Sequence, residues 1–261
     1  MKKFHRCITV SLMLFVIFAC DKQATDTDTL YQVSTVDALL TGIYDGAVTC
    51  GELKNRGDFG LGTFNTLDGE LIMLNGTVYQ VAVDGLPVVV NDSVMTPFAS
   101  VTFFESDITT NIDKTTDFDA LKNRINAVLP TENTIYAVKI TGTFEALTLR
   151  SVPVQNEPYP PLTEVVQEQT VFELENISGT LVGLKMPAWM DGINVGGYHF
   201  HFLADNLSAG GHVLDGTLTS GTILLDLTHG FELDIPEDAA FYNADLSPQD
   251  SAGAERTIIF N

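Results

Sequence analysis

The sequence predicts an α+β fold: two β-rich domains with mixed or antiparallel sheets and a few helices. Three observations carry this. Short runs of β-branched and aromatic residues recur along the chain, separated by turn-forming pairs such as Asn75-Gly76, Asp84-Gly85 and Asn91-Asp92. Helical apolar spacing is confined to two segments. A stretch near the middle, Val152 to Thr163, contains Pro153, Pro158, Pro160 and Pro161, and consecutive prolines favour an extended connector.

The elements follow in order. Asp21 to Thr29 is polar and reads as a flexible tether. A first helix is expected from Ser34, which can cap it, with Asp37 in the first turn and Val36, Leu39, Leu40 and Ile43 on one face. Gly42 and Asp45-Gly46 end it. Strands are expected over Leu71–Leu74, Val78–Val83, Val88–Val90 and Ser100–Phe104. A second helix is expected over Asp117–Leu129, with Phe118, Leu121, Ile125 and Val128 at helical spacing and Pro130 as its stop. Ile135–Phe144 is a further strand leading toward Arg150. Beyond the prolines, strands recur at Val171–Leu174, Gly179–Lys185, Gly197–Leu203, Thr217–Ser220, Thr222–Leu227 and Gly230–Leu233. The proline stretch therefore divides an N-terminal α+β domain (30–160) from a C-terminal β-rich domain (161–261). The halves echo each other faintly: Gly69-Glu70 before Asn75-Gly76-Thr77 compares with Gly211-His212 before Asp215-Gly216-Thr217, placing Glu70 where His212 sits.

Composition narrows the function. The formal net charge of −21 excludes nucleic acid as a partner, because phosphates need Lys and Arg, and it repels anionic membrane surfaces. Lys2, Lys3 and Arg6 precede an apolar run, Cys7 to Phe18, too short for a mature membrane span. The run ends Ala19-Cys20 and resembles a bacterial lipoprotein signal, residues 1–19 being removed and Cys20 lipidated. The expectation is an exported, membrane-anchored envelope protein, with plain secretion as the alternative. With Cys7 removed and Cys20 carrying lipid, Cys50 has no disulfide partner and reads as a small core residue.

The chemistry concentrates in Gly197-Tyr-His199-Phe-His201-Phe-Leu and the following Gly210-Gly211-His212. Alternation along a strand points His199 and His201 to one face and Tyr198, Phe200 and Phe202 to the other. Asp205 to Gly211 is rich in turn formers, so a hairpin return brings His212 to the same face. Three converging imidazoles form the ligand set of a metal site with a position left open. Neutral imidazoles suit zinc, copper, iron or nickel alike. His229 has no companion and reads as a turn residue. Taken alone, Glu70 reads as a solvated turn acid and Arg150 as a surface ion-pair partner.

The chain resembles the acetolactate decarboxylase family. The resemblance rests on Leu30-Tyr-Gln-Val-Ser34, Gly60-Leu-Gly-Thr-Phe-Asn-Thr-Leu-Asp-Gly-Glu70, Arg150-Ser-Val152 and Gln155 with Pro158-Tyr-Pro-Pro161. It continues through Gly179-Thr-Leu-Val-Gly183, Gly197-Tyr-His-Phe-His-Phe-Leu203 and Gly210-Gly-His-Val-Leu-Asp215, all in one order. It implies zinc held by His199, His201 and His212, near the junction of two domains. It also implies a functional acid and arginine at Glu70 and Arg150, with Glu255 as the match for a second, C-terminal glutamate. The implied reaction converts (S)-2-acetolactate to (R)-acetoin and CO2, the substrate being a small 2-hydroxy-3-oxo acid. Members often form dimers, so a homodimer is among the expected assemblies. Two other readings use the same histidines: a non-catalytic metal-binding lipoprotein, and a diverged zinc hydrolase activating metal-bound water.

Overall fold

The computed structural model describes residues 28–247. The signal segment, Cys20 and Glu255 lie outside the described residues. In chain order the first half carries β1 (Thr29–Val33), α1 (Val36–Leu40), β2 (Val48–Thr49), α2 (Cys50–Lys54), β3 (Phe59–Thr63), β4 (Glu70–Leu74), β5 (Thr77–Val81) and β6 (Pro87–Val89). Then come β7 (Met95–Thr96), β8 (Ala99–Thr102), β9 (Ile108–Ile112), β10 (Thr116–Asp117), α3 (Phe118–Asn126) and the long β11 (Ile135–Ser151). The rest holds α4 (Leu162–Val165), β12 (Thr170–Met186), β13 (Gly197–Ala204), β14 (Gly210–Thr228), β15 (Gly230–Asp234) and α5 (Ala239–Asn243).

Two sheets dominate. The first has seven strands in the order β15-β1-β8-β3-β4-β5-β6, antiparallel except for the parallel pair β1–β15. The second runs β10-β14-β11-β12-β13, with β9 added on β14. In it β13 also pairs with β14, so β11, β12, β13 and β14 close on themselves. An apolar layer fills the space between the sheets: Leu30, Phe59, Leu61, Ile72 and Val81 from the first, Ala137, Val182, Leu184 and Leu203 from the second. The opposite face of the second sheet packs Tyr198, Phe200 and Phe202 with Phe118, Leu121 and Ile125 of α3. The alternation read along the histidine strand is therefore present, with aromatics in one core and imidazoles facing the other sheet.

Several expectations are revised. The prolines do not separate the sheets, since β11, which precedes them, is flanked by β12 and β14, which follow. β15, from near the chain's end, completes the first sheet beside β1. The division at 160/161 is thus crossed by backbone hydrogen bonding. The proline segment instead lays Tyr159 against Tyr44, with ring centroids 5.3 Å apart, and the Tyr44 hydroxyl donates to the carbonyl of Pro160. Ser34 does not cap α1. It sits at φ 61°, and Thr35 accepts from the Ala38 N–H instead. The second helix is shorter than expected at its C-terminal end, with Asp117 as its cap. The strand expected at Ile135–Phe144 extends to Ser151 as β11, and the separate strands expected at 171–174 and 179–185, and at 217–220 and 222–227, merge into β12 and β14. Each runs 17 residues or more, because pairing on both sides carries the ladder through local glycines.

A buried amide cluster anchors the approach to the histidine strand. The Asn194 amide donates to Gln32 Oε1 (2.7 Å) and Ser100 Oγ (2.9 Å), and the Gln32 amide donates to the carbonyl of Ile193 (2.8 Å). These bonds tie the loop before β13 to β1 and β8, so the second sheet is held in fixed relation to the first.

Candidate metal centre

The three histidines meet on the inner face of the second sheet. His201 and His212 are direct register partners across β13 and β14, and His212 is in turn the partner of Arg150 on β11. A register shift between Thr148 and Leu149 precedes this row, and such bulges re-aim side chains. His199 stands two residues from His201 on the same face. Candidate ligand atoms of the three rings lie within 4.8 Å of one another, and His199 Nε2 is 3.1 Å from His212 Nδ1. All three residues are buried.

Burial keeps His199 and His201 as neutral imidazoles. Desolvation drives the His199 pKa well below its usual value, and the charges of His201 and Arg150 push the same way. His201 is pushed down to about 3 by burial, with Arg150 adding to the effect. The ring tautomer of His201 is fixed by its neighbour: Nδ1 donates to the Leu71 carbonyl at 2.9 Å, so Nε2 carries the lone pair.

Glu70 reaches the histidines from the other sheet. It begins β4, paired with Thr63 of β3, whose hydroxyl donates to the carbonyl of Gly69 at 2.7 Å. Glu70 Oε2 lies 3.4 Å from His201 Nε2. Burial raises the Glu70 carboxyl to about 7, while Arg150 and the Val152 N–H favour its charged form. Burial lowers the Arg150 pKa, and Glu70 acts in the opposite direction. Arg150 is only 3 % exposed. Its expected place as a surface ion-pair partner is therefore not the one it takes, nor is Glu70 a solvated turn acid.

The donor set fits a metal ion. His201 Nε2 and Glu70 Oε2 face each other in a buried space, and neither His201 Nε2 nor the other carboxylate oxygen, Glu70 Oε1, has a hydrogen-bond partner among the described residues. A cation at the focus of the three rings would satisfy the His201 lone pair, and nitrogen donors suit a borderline ion such as zinc. The walls are apolar: Leu39 of α1, Leu67, Phe98, Val152 and Leu162 of α4 line the same cavity, with Gly62 and Thr63. Sequence reading missed these lining residues, because nothing in their spacing marks a wall assembled from distant segments. His229 is exposed, the single residue between β14 and β15, and lies apart from the cluster. Cys50 is buried at the start of α2, and burial pushes its thiol up to about 11, in keeping with an inert core residue.

A buried three-imidazole set on a β-sheet, flanked by a carboxylate and a guanidinium from separate strands, defines an α+β metal-site protein of enzyme type. The chain belongs to the alpha-acetolactate decarboxylase family, whose sequence model matches residues 30–248. It is 48% identical to the alpha-acetolactate decarboxylase of Methanosarcina mazei over 220 residues, 84% of this chain and 76% of the relative. To that of Bacillus subtilis strain 168 it is 41% identical, covering 85% and 88%. The crystal structure of the Bacillus subtilis strain 168 protein superposes with a TM-score of 0.87 at 39% identity, covering 89% of this chain and 99% of that one. A Staphylococcus aureus protein described as similar to alpha-acetolactate decarboxylase superposes with a TM-score of 0.84 at 29% identity, covering 88% and 99%.

Proposed function

We propose that this chain decarboxylates (S)-2-acetolactate to (R)-acetoin and CO2, with zinc as its resident metal. The observation that carries the reading is the meeting of Glu70, Arg150 and three buried imidazoles in one cavity. A metal ion held there would supply Lewis acidity to the hydroxyl and ketone oxygens of the substrate. Arg150 orients the substrate carboxylate with its planar fork of donors. Breaking the C1–C2 bond releases CO2 and passes the electron pair into the neighbouring ketone. Glu70 moves the hydroxyl proton and returns a proton to C2. It stands on one side of the histidine cluster, so delivery to one face fixes the product's hand. The apolar walls exclude water that would otherwise protonate without selection.

Further parts of the reading rest on the sequence. Glu255 is the second acid by resemblance. Export with a lipid on Cys20 places the enzyme at the cell envelope, where it acts on acetolactate that has left the cytoplasm. A homodimer is the expected assembly. The metal-capture and hydrolase alternatives have less support, because neither gives a role to a buried arginine beside a buried acid.

The test is acetoin formation from racemic acetolactate by the purified protein, after chelation and after zinc is restored. Zinc-dependent (R)-acetoin is expected. Folded, zinc-loaded protein that forms no acetoin would overturn the reading.

A further inference from the structure

A second cleft lies on the face of the second sheet opposite the metal centre. Tyr198 and His199 are neighbours on β13 and point to opposite sides, Tyr198 toward this cleft and His199 toward the histidine cluster. The cleft has a volume of about 570 Å³, within the usual range of small-molecule sites. Its walls include Lys185, Trp189, Tyr198, Met186, Glu132 and Asn133.

Lys185 is the unusual member. It is only 7 % exposed, yet its ammonium makes no hydrogen bond or ion pair among the described residues. It stands in a cross-strand row between Tyr136 and Tyr198, its register partners on β11 and β13. The Tyr136 ring lies 5.8 Å from its nitrogen. Both tyrosine hydroxyls have committed their hydrogens elsewhere, Tyr136 to the Thr131 carbonyl (2.6 Å) and Tyr198 to Asn126 Oδ1 (2.7 Å). Glu132 is the charged group that faces Lys185, from beyond ion-pair distance. The aliphatic stem of Lys185 is packed away while its ammonium meets the cleft without a protein acceptor, so it is free to make a charge-assisted bond to an incoming anion. Beside it, Trp189 is 63 % exposed, its indole N–H donating to the Asn133 carbonyl at 3.3 Å. The indole therefore offers a held aromatic face to a ligand.

We propose that this cleft binds a small organic carboxylate with a planar apolar body, the carboxylate on Lys185 Nζ and the body against Trp189. It is a second site, separate from the metal centre, and independent of the reaction proposed above. Glu132 opposes the anion, so it limits affinity.

Trp189 is the chain's single tryptophan, so its fluorescence reports the cleft directly. The experiment titrates the metal-loaded, full-length protein with benzoate, and with benzamide as the uncharged counterpart. Saturable change with benzoate is expected, about tenfold weaker for benzamide and for Lys185→Met, as befits loss of one charge-assisted hydrogen bond. Lys185→Arg retains binding, and Glu132→Gln tightens it. His212→Ala leaves it intact, which separates this site from carboxylate capture at the metal. Equal response to benzoate and benzamide, no saturable response, or loss of the benzoate response in His212→Ala would each overturn the proposal. So would a Glu132→Gln variant that binds no more tightly than the parent, a comparison that stands even where Lys185→Met fails to fold.

Discussion

The Nε2 atom of His201 lies 3.4 Å from Oε2 of Glu70, and Nδ1 of the same ring donates to the carbonyl of Leu71, the next residue along β4. One strand of the first sheet thus sets both the tautomer of a histidine of the cluster on the second sheet and the position of the acid beside it. The two sheets cannot shift against each other without disturbing both.

Removing one imidazole removes the metal. His199→Ala is expected to lose bound zinc and acetoin formation together. Added zinc should raise the melting temperature of the parent protein and not of the variant, since an ion that binds the folded state stabilises it by mass action. Metal analysis beside a thermal melt checks this.

Glu70→Gln keeps the shape of the side chain and removes its capacity to carry a proton. Turnover should fall by roughly 10²-fold or more, the usual scale for a positioned acid or base. Zinc content and the circular dichroism spectrum should stay at parent values. Normal turnover in this variant would remove Glu70 from the chemistry.

Arg150 and Glu70 are coupled buried charges. Arg150→Met should cost about 3–5 kcal/mol of stability, because it leaves a carboxylate buried without its opposite charge. Adding Glu70→Gln should recover part of that loss. Urea unfolding of the single and double variants gives the coupling; strictly additive losses would show that the two charges act independently.

Asp226 supplies a pH dependence far from the metal. Burial pushes its carboxyl up to about 7, and Asp107, Asp28 and Glu105 add like charge, while the Glu105 N–H donates to it at 3.1 Å. Its folded value exceeds its unfolded value, so the folded state binds the extra proton. The stability it contributes is fully present below the unfolded pKa and is lost as pH rises through about 7. Asp226→Asn should therefore flatten the fall in melting temperature between about pH 4 and about pH 7. A parent-like fall in the variant would assign that slope to other groups.

The proposed lipid anchor is tested at Cys20. Cys20→Ser should move the protein from the membrane fraction to the soluble fraction of the cells that make it. Unchanged fractionation, with no acyl group on the parent's Cys20, would favour plain secretion.

Much of the fold was legible because strand alternation and turn pairs are local signals. The His199/His201 face, the hairpin return to His212 and the opposed aromatic core were all readable from a period of two. β3 was not. Its sequence, Phe59-Gly-Leu-Gly-Thr63, is poor in strand formers. Gly62 is required there because a Cβ would collide with the Phe98 carbonyl, which lies just before β8 and is distant in sequence. β1 was hidden in the same way, since its partners, β8 and β15, come from much later in the chain.

By itself the sequence determined most of the central strands and the α3 helix, the convergence of three imidazoles and, through many motifs in one order, the family. Tertiary structure decided the rest. It buried Glu70 and Arg150, whose local sequence is that of surface residues, and it joined Leu39, Phe98 and Leu162 into one wall. The physical reason is that ionisation and burial belong to an environment, and an environment is assembled from segments that local pattern cannot connect. Closure of β14 on β13 and the facing of the two sheets create the low-dielectric cavity in which these residue types acquire their chemistry.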